Sequence, residues 1–259
     1  RYDLASEFPW DNVRQMADLG LLGIPWPEEL CGAGMDYLSY IIVIEELARV
    51  DASHAITVSA HTTLGTSPIM DFGTDEQKRR FVPLLASGRV LGGFGLTEPG
   101  AGSDAGGTKT VAVDQGDHYV LNGSKIFITH AGVGEIFVVT ARTDPRAGKT
   151  RGITSFVVTK DTTDLEEAKR VGVGHESTLA RTPGVAAAKK EDKLGWRASD
   201  TRELVFTDAV VPKENVLGPL GNGFRQMLHT LDGGRIGIGA LALGIAAGAL
   251  EECLVYTGQ

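Results

Sequence analysis

The spacing of apolar residues changes twice along this chain of 259 residues, and the two changes restrict the fold to helices, then strands, then helices. From Trp10 to Gly88 apolar residues recur at helical intervals, as at Val13, Met16, Leu19 and Leu22, and again at Leu38, Ile41, Ile42, Leu47 and Ala48. Pro25, Pro27, Gly32 and Gly34 interrupt this half and mark a loop between helices. Thr74-Asp75-Glu76-Gln77 reads as a capping box opening a helix that ends near Gly88. From Val90 the period shortens toward two, through Val111, Val113, Tyr119, Leu121, Ile126, Ile128, Phe137, Val139, Ile153, Phe156 and Val158. Asn122-Gly123 between two such runs predicts a two-residue hairpin, and the middle of the chain a barrel or sandwich. After Pro219 the helical spacing returns, from Gly221 to Tyr256. The expectation is an α+β multidomain chain with an N-terminal helical domain over 1–89, a β domain over 90–218 and a further helical segment over 219–259.

With 42% hydrophobic and 22% charged residues, the chain can bury a sizeable core. Its 25 basic residues against 33 acidic ones argue against a nucleic-acid or anionic-membrane surface. Cys31 and Cys253 stand far apart in unlike surroundings, which speaks against a disulfide framework and for a reducing compartment. His54, His61, His118, His130, His175 and His229 show no metal-ligand spacing, so no metal site is expected. The apolar run Ile236–Leu250 is rich in glycine and alanine and too short to span a bilayer, and reads as a buried helix. No targeting segment is visible behind Arg1, although the absence of an initial Met leaves a lost leader open.

Four blocks carry chemistry. Phe94-Gly95-Leu96-Thr97-Glu98-Pro99-Gly100-Ala101-Gly102-Ser103-Asp104 is a small-residue loop on which backbone N–H groups can approach a flat or anionic ligand, with hydroxyls at Thr97 and Ser103. Leu121-Asn122-Gly123-Ser124-Lys125-Ile126-Phe127-Ile128-Thr129 follows, then Lys190-Glu191-Asp192-Lys193-Leu194-Gly195-Trp196-Arg197-Ala198-Ser199, then Leu231-Asp232-Gly233-Gly234-Arg235. In this order the blocks resemble the acyl-CoA dehydrogenase family of flavoproteins, with the Asp-Gly-Gly-Arg wording nearest its short-chain, butyryl-type branch. The resemblance runs from about Phe8 to Thr257 and makes the last segment the first part of a C-terminal helical bundle.

The resemblance implies FAD as cofactor, acyl-CoA as substrate, an electron-transfer flavoprotein as partner, a homotetramer, and a place in fatty-acid β-oxidation in a bacterial cytoplasm or a mitochondrial matrix. It implies flavin contacts at Phe94, Leu96, Thr97, Ser103, Phe127, Ile128 and Thr129, with Phe127 where many members carry tryptophan. Ser103, Asp232, Gly233, Gly234 and Arg235 fall to the acyl-CoA side. Asp232 can equally cap a helix, and Arg235 can equally be half of an ion pair. Glu98 is architectural in the family and is not assigned as a base.

The implied reaction is α,β-dehydrogenation, which needs a carboxylate for the α-proton. Most members carry that base beyond the segment matched here. A minority, including isovaleryl-type enzymes, carry it at the position of Gly234, which has no carboxylate, so no catalytic residue is identified in this chain. Glu251 and Glu252 lie about four to five helical turns further on. The chain is therefore expected to be part of a longer enzyme or a short relative, with a non-catalytic acyl-CoA or flavoprotein binder and an oxidase-like flavoenzyme as alternatives. Residues 161–182 form an insertion of roughly twenty residues, where Thr163-Asp164-Leu165-Glu166 predicts a capped, solvated helix with a Glu166–Arg170 pair. It decorates a loop or shapes the mouth of a channel. His130 stands where the family commonly has asparagine, and is expected to be satisfied or solvent-facing.

Overall fold

The computed structural model describes residues 1–258. Its N-terminal part holds helices α1 (Tyr2–Ala5), α2 (Trp10–Asp18), α3 (Tyr37–Val50), α4 (Ala52–Ser59), α5 (Ser67–Phe72) and α6 (Asp75–Ala86). Between α4 and α5 the chain stays helical but widens into a π-helical turn, Ala60–Thr66. The capping box at α6 forms as expected, Thr74 and Gln77 each satisfying the other's backbone N–H. The apolar faces of α2, α3 and α4 meet in one core through Trp10, Val13, Met16, Tyr40, Ile44, Ala55 and Val58.

The middle of the chain is one mixed sheet built from β1 (Gly92–Gly95), β2 (Val111–Asp114), β3 (His118–Thr129), β4 (Ile136–Arg142), β5 (Ile153–Thr159), β6 (Val185–Lys190), β7 (Thr201–Pro212) and β8 (Val216–Leu217). The order is β6-β7-β3-β2-β4-β5-β8, and β1 lies parallel to β4 off this path. Period-two burial holds along β3, whose Tyr119 and Leu121 point into a core shared with Phe137, Val139, Phe156 and Phe206.

Asn122-Gly123 does not make the predicted hairpin. Strand β3 continues through it with a register shift against β7 between Leu121 and Gly123, and the turn comes earlier, where the Gln115 N–H donates to the His118 carbonyl. The Asn122 side chain is held across the sheet instead, donating to Asp208 Oδ1 at 3.0 Å and accepting the Asp208 N–H at 2.9 Å. Gly123 is needed because a Cβ there would stand 2.6 Å from Thr110 Oγ1.

The insertion contains α7 (Leu165–Val171), but without the predicted cap: no Asp164 side-chain bond closes its first turn, and Arg170 pairs with Glu167 and Asp11 rather than Glu166. Nor is it merely solvated, since Ala168 and Val173 are buried in the core of α2.

The last helix, α8 (Gly223–Thr257), is not the buried helix read from its composition. Its buried side combines small residues such as Gly237, Ala240 and Gly244 with Leu241, while Ile236, Leu243 and Leu250 are more than half exposed. The reason lies in α3, which approaches so closely that a Cβ on Gly244 would stand 2.2 Å from the Glu45 carbonyl oxygen and one on Gly248 2.2 Å from that of Arg49. By length and composition α8 would suffice to cross a membrane, because the helix extends well beyond the apolar run Ile236–Leu250 at both ends.

Candidate functional site

Two close backbone approaches assemble the site. A Cβ on Gly65 would lie 2.6 Å from the Gly92 carbonyl carbon, so the π-helical turn rests directly on β1. A Cβ on Gly93 would lie 2.7 Å from the Thr129 carbonyl oxygen, so β1 in turn presses against the end of β3. Around this junction Ala60, Leu64, Gly93, Phe94, Leu96, Thr97, Phe127, Ile128, Thr129 and Leu231 enclose a cavity of about 140 Å³.

Of the residues read from sequence as a ring site, six stand together here: Phe94, Leu96, Thr97, Phe127, Ile128 and Thr129. Strand β3 slips register against β7 between Lys125 and Ile128, and Phe127 in that irregularity has φ 58° with its ring 61% exposed. A phenylalanine in the left-handed region costs on the order of 1–3 kcal/mol and persists only where its surroundings impose it. Neither the Thr97 nor the Thr129 hydroxyl has a hydrogen-bond partner among the described residues, although both line the cavity. A cavity lined by an exposed phenylalanine and two uncommitted hydroxyls suits an aromatic ring bearing acceptor atoms. Ser103 is not part of it: the residue is exposed in the loop after Glu98 and lines neither this cavity nor the next.

A second cavity of about 150 Å³ shares Ala60, Leu64 and Leu231 with the first and is completed by Ile56, Ser59, Thr63, Gly234, Arg235 and Ile238. Its open wall is hydrocarbon. A Cβ on Gly234 would meet Leu64 Cδ2 at 3.5 Å, so any side chain there would fill this space. Asp232 is no cap, because α8 begins nine residues earlier; it pairs with Arg235, the ion-pair alternative, and both side chains are exposed. Gly233 offers its carbonyl to the Tyr37 hydroxyl at 2.9 Å, which fixes α8 against α3.

No carboxylate lines either cavity among the described residues. Glu251 is engaged by Arg49 at 3.0 Å, and Glu98 is turned into the protein, accepting from Lys125 Nζ (2.7 Å) and from the Lys109 and Thr110 N–H groups (2.6 and 3.1 Å). Burial pushes the Glu98 carboxyl up, but the Lys125 ammonium and these N–H donors outweigh it and hold the group below the usual carboxylate range.

A larger cavity, about 640 Å³, lies elsewhere, between Ser6–Phe8, α7 and the sheet. Its buried Asp200 is already held by Arg202 and the Gly132 N–H, and its Lys190 by the Ser6 carbonyl, so it offers no comparable set of uncommitted groups. The cluster Glu135, Asp161 and His175 has the spacing of a metal site, yet Arg181 bridges both carboxylates at 3.0 and 2.7 Å and takes the place of a cation.

Sequence reasoning missed Ala60 and Leu64 from the π-helical turn, and Ile56 and Ile238, because nothing but helical apolar spacing marks them. Residues 1–89 match the family model for the acyl-CoA dehydrogenase N-terminal domain and residues 93–209 that for the middle domain. A short-chain specific acyl-CoA dehydrogenase of Clostridium acetobutylicum is 48% identical over 98% of this chain, which spans 62% of that relative's length. Butyryl-CoA dehydrogenase from Megasphaera elsdenii superposes with TM-score 0.89 at 43% identity, covering 100% of this chain and 63% of that one. A chain solved in work on the electron transferring flavoprotein of Acidaminococcus fermentans gives TM-score 0.89 at 44% identity, covering 98% of this chain and 62% of that one.

Proposed function

The chain belongs to the acyl-CoA dehydrogenase family, and from that premise we propose that it carries the flavin-ring slot and the acyl slot of an enzyme that oxidises short acyl-CoA thioesters to 2-enoyl-CoA. FAD is the cofactor, and when bound it supplies a two-electron acceptor for the hydride leaving the thioester β-carbon. The observation that carries this reading is the sharing of Ala60, Leu64 and Leu231 between a slot with polar donors and a hydrocarbon slot, which sets a ring and an acyl chain side by side.

In this reading Thr97 and Thr129 orient the ring, while Phe127 and Phe94 exclude water from it. Ile56, Leu64 and Ile238 receive the acyl chain in a space of about five waters' volume at ~30 Å³ each, which suits a few methylenes. The α-proton goes to a carboxylate from outside the described residues or from a neighbouring subunit. Electrons pass to an electron-transfer flavoprotein, and the outward apolar face of α8 supports a homotetramer. The absence of a carboxylate at the cavities favours, as second reading, a relative that binds acyl-CoA without turning it over.

Anaerobic titration of the FAD-loaded protein with butyryl-CoA is the test. Bleaching of the flavin band is the expected result once the segment or subunit that supplies the carboxylate is present; a bound flavin that keeps its colour there selects the second reading, and failure to bind FAD overturns the first. Thr97→Val and Thr129→Val, which keep shape and remove only the hydroxyl, are each expected to weaken FAD binding about five- to tenfold, as befits one hydrogen bond of ~1 kcal/mol. Fluorescence titration of FAD checks this.

A further inference from the structure

The ammonium of Lys125 lies in the interior with its side chain wholly buried, and it has three acceptors: Glu98 Oε1 at 2.7 Å, the Leu96 carbonyl at 3.2 Å and Thr140 Oγ1 at 3.4 Å. The Leu96 carbonyl belongs to the same peptide unit as the Thr97 N–H. The next residue on β3, Ile126, donates its N–H to the Thr97 carbonyl at 2.8 Å. Two consecutive residues of β3 thus hold the Leu96–Thr97 segment from behind. The Thr97 N–H has no protein acceptor among the described residues, and Thr97 lines the ring cavity.

We propose that Lys125 is a positioning residue for the redox step: its charge, seated on the Leu96 carbonyl, polarises the Leu96–Thr97 peptide so that the Thr97 N–H becomes a stronger donor toward the ring and favours its reduced, electron-rich state. The inference rests on the flavin reading above. A cation hydrogen-bonded to a carbonyl draws electron density through the amide, and hydrogen bonds strengthen one another along such a chain in a low-dielectric interior. Glu98 does not cancel the effect, because its carboxylate is also tied to the Lys109 and Thr110 N–H groups, which share its charge. Burial lowers the Lys125 ammonium to about 8, with Glu98 opposing the fall, so the group still carries its charge near neutral pH.

The test is the two-electron potential of FAD bound to the wild-type protein and to the paired variant Lys125→Gln/Glu98→Gln, which keeps an N–H donor for Leu96 and removes both charges. The variant is expected to bind reduced FAD at least tenfold more weakly relative to oxidised FAD, a shift of ~30 mV to more negative potential for a two-electron couple. If oxidised and reduced FAD weaken equally, the pair is merely structural and the proposal is overturned. A second variant leaves every side chain in place: the threonine α-hydroxy acid at position 97 turns the Leu96–Thr97 amide into an ester and deletes the N–H. It should shift the potential in the same direction, and an unchanged potential there overturns the proposal even if the paired variant does not fold. Wild-type protein that binds FAD with unaltered variants defeats this inference alone; wild-type protein that binds no FAD defeats the flavin reading and this inference with it.

Discussion

Lys125→Met, made alone, should cost the fold about 3–5 kcal/mol, the usual penalty for leaving a buried charge without its partner. Glu98 is 5% exposed and would keep its two backbone donors while losing the only side-chain cation paired with it among the described residues. Native stabilities are only about 5–15 kcal/mol, and each kcal/mol moves Tm by ~2–4 °C in a chain of this size, so the midpoint should fall by roughly 6–20 °C. The loss would centre on the loop from Leu96 to Thr110, which Glu98 closes, and so on the ring cavity as well. Pairing the change as Lys125→Gln/Glu98→Gln should recover much of it, because a glutamine oxygen can accept from Lys109 or Thr110 without carrying a charge. Calorimetric melts of the three proteins decide the matter: a double variant as unstable as the single one would show that the cost comes from packing around the lysine stem.

This pair also shows where sequence reading stopped. Glu98 lies in the small-residue loop and turns inward; Lys125 carries no local sign of a role, since its partner lies 27 residues away and the folding of the sheet brings them together. The three-part order of helix, strand and helix was legible because periodicity survives in any context. Six residues that line the first cavity stood out in the sequence within two blocks, Phe94 to Thr97 and Phe127 to Thr129. What those blocks could not convey was the other half of each cavity. Ala60 and Leu64 reach the site only because Gly65 lets the π-helical turn sit on Gly92, and such contact leaves no mark in a local pattern. The Asn122-Gly123 reading failed for a related reason: Asp208 and Thr110, distant in sequence, decide what Asn122 and Gly123 do. On α8 hydrophobicity misled because the close approach to α3 is made at Gly237, Gly244 and Gly248, so that only Leu241 of the large apolar residues in the run Ile236–Leu250 is buried there.

Below about pH 6.5 the fold should lose stability through two histidines that flank Gly92. His61 is fully buried; its Nδ1 accepts the Gly92 N–H at 3.1 Å, which places its proton on Nε2 to donate to the Leu85 carbonyl at 3.0 Å. His130 donates from Nδ1 to the Gly92 carbonyl at 2.8 Å, and its buried Nε2 has no partner. Burial, reinforced by His130, pulls His61 down to about 3, and burial likewise lowers His130. A folded-state value below the unfolded one means that the unfolded chain takes up the proton first. The contribution of the neutral rings is therefore complete above about 6.5 and is lost progressively as pH falls toward the folded-state value, at up to ~1.4 kcal/mol per pH unit for each ring. Glu135 works the other way, since burial raises its carboxyl, but substitution at His130 leaves that term unchanged. His130→Asn keeps a donor for Gly92, removes one titration, and suits φ 66°, a left-handed conformation asparagine adopts more readily than most residues. Urea melts between pH 5 and 7 should show the variant losing stability with a shallower slope, by at most one proton, so that it gains on the wild type as the pH falls. Parallel slopes would mean that His130 is protonated in the fold as easily as in the unfolded chain, and would place the acid sensitivity of the Gly92 junction on His61 alone.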